Sequence, residues 1–439
     1  MAFRPDFVWG AATAAFQIEG ATDVGGRGES IWDRFCRTPG KVANGDTGDE
    51  ACDHYHRWPE DLELMSRLGL HAYRFSIAWP RVQPDGRGPA NREGLDFYRR
   101  LVEGLLEREI TPLATLYHWD LPQPLQDRGG WASREVVDRF AEYAELVFDS
   151  LGDLVGSWVT HNEPWVTSFL GYGYGVKAPG VTDWHSALAA AHHVLLSHGR
   201  SARAYRDGGG TGELGITLDL THVSGEPEAA RRLDGHRNRW FLDAVLRGAY
   251  PVDMLELYEE RVGPLDFVQD GDLHEIAAPI DFLGVNFYQP AVARSGDGPL
   301  GVEELRAEGP RTAMGWTVEP TSLTSLLLRL RRDYGDVPLV ITENGASFDD
   351  PPVDGQAVVE DPERVAYLRD HIAAVELAVG QGVDVRGYYV WSLLDNFEWE
   401  HGYDSRFGIV AVDFANQRRT PKRSALWYRD LIARHANGG

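Results

Sequence analysis

The chain has 439 residues, 43% hydrophobic and 25% charged, with a formal net charge of −24 at pH 7. This is the composition of a globular chain with ample core, and the acidic balance argues against nucleic acid or an anionic membrane as a partner. No run approaches the ~18 apolar residues of a membrane span, and Met1–Gly10 has no apolar signal region, so an unanchored cytoplasmic protein is expected.

Two cysteines, Cys36 and Cys52, lack Cys-x-x-Cys spacing and fit a reducing compartment rather than a disulfide framework. Lysine occurs only at positions 41, 177 and 422, arginine carrying nearly all the positive charge.

Along the chain, short β-rich runs alternate with amphipathic stretches. The strand candidates are Phe7–Gly10, Ala72–Ile77, Leu113–Tyr117, Ser157–Thr160, Leu214–Leu220, Phe282–Phe287, Leu339–Thr342 and Gly387–Trp391. Helices are predicted over Pro59–Leu68, Asn91–Arg108, Ser133–Leu151, Ser186–Asp207, Arg231–Arg247, Ser322–Tyr334 and Pro362–Val379, and over Arg423–His435 after the last strand. Eight β/α units without a linker or composition break predict an α/β chain folded as a single (β/α)8 TIM barrel over residues 1–439. No Gly-x-Gly-x-x-Gly opens a helix, which leaves a dinucleotide fold without support.

The histidines at 185, 192, 193 and 198 suggest a metal at first sight. His192 and His193 point about 100° apart on a helix, and no His-Glu-x-x-His occurs, so no metal site is expected.

Chemistry collects at the strand ends instead. The first strand leads to Gln17; the second carries Arg74 and ends in Trp79-Pro-Arg81; the third ends in Tyr117-His-Trp-Asp120; the fourth in Asn162 and Glu163. The sixth supplies Asn286 and Tyr288, the seventh Glu343, and the eighth Trp391 and the run to Tyr403. Any one of these reads equally well as a salt-bridged or packed strand end. Seven in register do not, because this barrel assembles its active site from strand tips.

Two strand-end glutamates, each beside an asparagine, are the material for cleaving an acetal: one protonates the leaving oxygen while a carboxylate faces the anomeric carbon. Gln17, His118, Asn162 and Glu398 can bond hydroxyls, and Trp391 and Trp399 offer flat faces to a ring. Arg74 can hold a neighbouring glutamate ionised.

The blocks Thr160-His-Asn-Glu-Pro164, Ile341-Thr-Glu-Asn-Gly345 and Trp391…Asp395-Asn-Phe-Glu-Trp-Glu400 resemble glycoside hydrolase family 1, the β-glucosidases and their relatives. The resemblance runs from Phe7-Val-Trp-Gly through Asp404-Ser-Arg-Phe-Gly408. It implies Glu163 as acid/base and Glu343 as nucleophile of a retaining enzyme, with carboxyl groups about 5–5.5 Å apart. It further implies that Gln17, His118, Asn162, Glu398 and Trp399 hold the non-reducing sugar and that Asn286 and Tyr288 support the site. Trp119, Trp316, Trp391 and Phe407 line it, Trp316 on the leaving-group side. The implied substrate is a small β-glucoside or short oligosaccharide such as cellobiose, with galactosides and fucosides as alternatives and no cofactor.

Position 161 departs from the family pattern in being histidine, from which a packing effect is expected. The segment Arg294–Thr312 is expected to shape the entrance. Alternative readings are a 6-phospho-β-glycosidase and a non-catalytic sugar-binding relative. The latter typically lack one or both glutamates, which this chain retains. The stretch Asn396–Tyr403 holds two glutamates and no lysine, which argues against a phosphorylated substrate. The oligomeric state is not legible.

Overall fold

The computed structural model describes residues 3–353 and 355–437. Eight parallel strands close into a barrel: β1 (Val8–Ala12), β2 (Ala72–Ser76), β3 (Thr111–Tyr117), β4 (Ser157–Asn162), β5 (Glu213–Asp219), β6 (Phe282–Asn286), β7 (Leu339–Asn344) and β8 (Val385–Trp391). They neighbour one another in chain order, and β1 and β8 complete the ring through the register Val8↔Gly387 to Ala12↔Trp391. Each expected strand is present. Ends differ by a few residues because ladder pairing continues through polar tips such as Glu343 and Asn344, where apolar patterning stops.

The covering helices are amphipathic where they meet the barrel. In α1 (His54–Arg67) and α2 (Arg92–Leu106), buried positions such as Phe97, Leu101 and Leu105 recur every three to four residues. There follow α3 (Glu135–Leu151) and α4 (Trp184–Asp207), the latter capped by Asp183, whose side chain accepts from Ser186 N–H at 2.8 Å. The last three are α6 (Pro320–Tyr334), α7 (Pro362–Gly380) and α8 (Arg423–Ala436).

The fifth covering segment departs from the continuous helix expected over Arg231–Arg247. It consists of α5a (Pro227–Asp234), a widened π-type turn over Gly235–Arg239, and α5b (Trp240–Arg247). A second widened turn, Val166–Gly173, follows β4. Such turns re-aim side chains and recur at functional sites; both flank the barrel mouth.

The segment expected to shape the entrance, Arg294–Thr312, contributes to a hairpin, Ala291–Ser295 with Val302–Arg306, which adds Val223–Gly225 to make a small outer sheet. A second hairpin, Val410–Asp413 with Arg418–Pro421, lies beyond β8. Sequence reasoning missed both because these strands are only four or five residues long and mix charged with apolar residues without a regular period. Among the described residues, no helix is long and apolar enough to cross a membrane.

Candidate active site

The C-terminal ends of the strands enclose a cavity of about 320 Å³. Its lining includes His118, Trp119, Glu163, Asn286, Tyr288, Trp316, Glu343, Trp391, Glu398, Trp399 and Phe407, all expected from the sequence. Gln17, Arg74 and Asn162 stand behind that lining and hold it in place.

Arg74 rises from β2 and is 1% exposed. It donates through Nη1 to Glu343 Oε1 at 2.6 Å and through Nη2 to Asn162 Oδ1 at 2.7 Å. Asn286 on β6 donates from Nδ2 to Glu163 Oε1 at 2.6 Å and to Asn162 Oδ1 at 3.1 Å, while its Oδ1 accepts from Thr342 at 2.8 Å. Glu343 completes its shell by accepting at Oε2 from the Tyr288 hydroxyl, 2.6 Å away.

The two glutamates therefore sit in different electrostatic settings. Burial raises both. Glu343 has an arginine and a phenol as donors, which oppose that rise. Glu163 has a neutral amide and the negative charge of Glu343, and lies well above the ordinary carboxylate range, with burial the largest cause. The buried pair shares protons as a unit; its first proton leaves Glu343 and its second stays on Glu163.

Asn162 also fixes its neighbours. Its Oδ1 takes two donors, so its Nδ2 must face His118 Nε2, 3.0 Å away. His118 then carries its proton on Nδ1, and burial keeps the ring neutral. That Nδ1, like Gln17 Oε1, is buried and has no partner among the described residues, which leaves one donor and one acceptor unsatisfied beside the cavity. Gln17 Nε2 donates to Glu398 Oε2 at 3.2 Å and to the Phe397 carbonyl at 2.9 Å. Trp399 lies beside Trp119 at 4.5 Å and His118 at 6.0 Å, and Trp391 also stacks on His118, at 5.8 Å. On the opposite wall, Trp316 packs against Tyr288 and Phe407 at 5.2 and 5.7 Å.

Trp119, Glu163 and Trp399 all take positive φ, at 80°, 52° and 51°. Each costs on the order of 1–3 kcal/mol, and three such residues in one cavity mark a site held against local preference. Gly345 has a different reason: a Cβ there would lie 1.7 Å from the Trp391 carbonyl oxygen.

Other strand-end residues turn away from the cavity. Arg81 pairs with Glu19 at 2.9 Å and covers the Tyr55 ring, and Trp79 packs on Tyr143. Asn344 clamps β6, β7 and β8 by donating to the Phe287 carbonyl at 2.7 Å and accepting from Tyr388 at 2.6 Å. The two Asn–Glu pairs are thus not equivalent, only Asn162 serving the cavity. His161 points outward to Ser197 Oγ at 2.9 Å and packs on Phe140 at 4.3 Å, a packing role. The α4 histidines have separate partners: His192 bonds Asp272 and Tyr250, His193 the Trp131 carbonyl and His198 Thr160. Among the described residues no group of three or more His, Cys, Asp and Glu could hold a metal.

Sequence reasoning missed three charged residues of the lining, Lys177, Asp219 and Arg237, and read Glu400 only as part of the Asn396–Tyr403 charge. Asp219 ends β5, the one strand whose tip was not assigned a polar residue. Lys177 corrects the charge argument at the barrel mouth. The loop after β4 carries its ammonium to within 2.7 Å of Glu400 Oε2 and 5.3 Å of the Trp119 ring, so a lysine absent from Asn396–Tyr403 is present in space. Lys177 also partly opposes the rise of Glu398, which burial pushes up to about 8.

The family model for Glycosyl hydrolase family 1 matches residues 1–437. The chain is 51% identical to "Thermostable beta-glucosidase B" of Thermobispora bispora over 99% of this chain and 91% of that one. It is 46% identical to "Bifunctional beta-D-glucosidase/beta-D-fucosidase" of Bifidobacterium breve, over 99% of each. A crystal structure of the GH1 beta-glucosidase from Exiguobacterium antarcticum B7 superposes with a TM-score of 0.97 at 46% identity, covering 100% of this chain and 99% of that one. With a closed parallel barrel, two buried glutamates at its mouth and this match along almost its whole length, the chain belongs to glycosyl hydrolase family 1.

Proposed function

We infer that this protein is a retaining β-glucosidase. It removes terminal non-reducing β-D-glucosyl residues from small glucosides or short oligosaccharides through a covalent glycosyl-enzyme, within one (β/α)8 unit spanning residues 1–439. The observation that carries the reading is the unequal pair: Glu343 bound by Arg74 and Tyr288, Glu163 bound by Asn286 alone.

In the first step Glu343 attacks the anomeric carbon and the C–O bond to the leaving group breaks. The electron pair goes to the leaving oxygen, which takes the Glu163 proton. Esterification removes the Glu343 charge, so Glu163, now deprotonated, sits next to a neutral ester. Its affinity for a proton falls, yet it remains the nearest base to the water that follows. That water gives its proton to Glu163 as its oxygen attacks the anomeric carbon, releasing glucose with its original β-configuration and restoring both glutamates.

Gln17, His118, Asn162, Glu398 and Trp399 are assigned to the sugar's hydroxyls, supported by the buried, partner-free His118 Nδ1 and Gln17 Oε1. Trp391 lies under the ring. Trp119 supports Trp399, and Trp316 and Phe407 form the wall met by the leaving group. The bifunctional relative supports β-D-fucosides as second substrates. Cellobiose is an expected natural substrate. Two buried, unpaired thiols support a cytoplasmic location.

The test is a panel of aryl β-glycosides (glucoside, fucoside, galactoside and glucoside 6-phosphate) with the first-formed anomer followed by NMR. β-Glucose forming first from the glucoside is expected; α-glucose forming first, or no turnover of any member, contradicts the reading.

A further inference from the structure

The fifth barrel strand brings a further carboxylate to the cavity, Asp219. On β5, Thr217 and Asp219 are two residues apart and so share a face. The Thr217 carbonyl accepts from the Glu163 N–H at 2.9 Å. Asp219 lies in register with Asn286, the residue whose amide holds Glu163 Oε1 at 2.6 Å. Asp219, Glu163 and Glu343 all line one cavity.

The counter-charge of Asp219 is incomplete. Arg237, on the widened turn Gly235–Arg239, approaches Asp219 Oδ2 only to 3.5 Å. The same guanidinium lies 3.8 Å over the Trp165 ring and 3.4 Å from Glu304 on the outer hairpin, so one cation is divided between two carboxylates and a ring. The charged groups facing Asp219 are therefore Glu163 from β4, Glu343 from β7, Arg237 from the turn and Glu304 from the hairpin; β6 contributes neutral Asn286 and the Tyr288 phenol.

Resting on the reading of Glu163 as acid/base, we propose that Asp219 is a positioning residue for proton transfer, its charge keeping the proton on Glu163 until the leaving oxygen takes it. The charge of Glu343 disappears when the glycosyl ester forms, whereas Asp219 is not esterified and, at a pH above about 7, keeps its charge in both steps. Glu163 thus faces a negative neighbour both as acid and as base, which favours its recapture of a proton from water in the second step. Burial raises Asp219 itself to about 7, with Arg237 pulling it back and Glu343 adding to the rise, so the three carboxyls share their protons as a coupled set.

The experiment is the pH profile of kcat/KM for an aryl β-glucoside with a poor leaving group, in the wild type and in D219N, D219E, R237Q and E163Q. The expected result is an alkaline limb that is absent from E163Q and displaced downward by about half a unit or more in D219N. D219E should return it toward its wild-type position. R237Q, which removes a cation and so raises the proton affinity of both Asp219 and Glu163, should displace it upward and serves also if D219N does not fold. An alkaline limb that vanishes in E163Q yet stays in place in D219N, or in R237Q, overturns the proposal and leaves the role of Glu163 standing. A limb that persists unchanged in E163Q overturns the reading beneath it.

Discussion

Arg74 Nη1 and Glu343 Oε1 are 2.6 Å apart with both side chains almost fully buried. The same guanidinium holds Asn162, so one cation on β2 sets the charge of one strand tip and the orientation of another. A buried pair of this kind depends on both members, because removing one leaves the other charge without compensation at a cost of about 3–5 kcal/mol.

Arg74→Gln is therefore expected to lower kcat by at least about 10²-fold, since Glu343 is no longer held ionised and Asn162 no longer held in place. The sign of the pH effect follows. Losing a cation raises the Glu343 pKa, so the acid limb of kcat/KM moves to higher pH. A pH-rate profile checks this; an acid limb that stays in place would show that Arg74 does not set the charge of Glu343.

Glu163 costs stability in return for its function. Its pKa in the folded protein is raised above the ordinary value, with burial the largest cause, so the unfolded chain releases this proton at lower pH than the folded one does. The folded form binds the extra proton, and its advantage is full below about pH 4.5 and is lost as pH rises through the folded-state value. Glu163→Gln removes the titration. Its Tm should match the wild type near pH 4 and exceed it by on the order of 1–2 °C at pH 8, measured at a fixed scan rate. A variant less stable at pH 8 than at pH 4, relative to wild type, would contradict this.

The substrate's 6-position offers a third test. A 6-phosphate brings about −1.5 to −2 charges at pH 7. Lys177, a cation of the lining whose charge acts on Glu398, is already bound by Glu400 at 2.7 Å. Glu398 is itself buried and 8% exposed, so the phosphate would lose its water without gaining an unpaired partner, at a cost of several kcal/mol. Glucoside 6-phosphates should be cleaved with a kcat/KM at least about tenfold below the plain glucosides; equal or higher efficiency would overturn this.

The barrel was legible because a parallel strand buried on both faces is written as a short β-branched run, as in Leu339-Val-Ile-Thr342, and the following amphipathic helix repeats every three to four residues. Most neutral residues of the site and the carboxylates Glu163, Glu343 and Glu398 were legible because strand tips break those runs with polar side chains; Asp219, at the tip of β5, was not assigned. The cations of the lining were not legible. Lys177 lies in a loop after a widened turn, and Arg237 in a widened turn inside what reads as one helix; neither position has a period that predicts its direction. Lys422 was equally hidden. It precedes α8 in sequence, yet bonds Asp350 after β7 at 2.5 Å and Asp395 after β8 at 2.7 Å, tying the loop after β7 to the loop after β8.

The division of labour between Glu343 and Glu163 is tested most directly by azide rescue of two glycine variants, with NMR assigning the product anomer. Only the residue facing the anomeric carbon leaves a hole there when truncated. Glu343→Gly with azide and an activated β-glucoside should give α-glucosyl azide, the inverted product of one displacement. Glu163→Gly should still form the ester and then give β-glucosyl azide, the retained product of two. The same azide anomer from both variants, or β-azide from Glu343→Gly, would contradict the assignment.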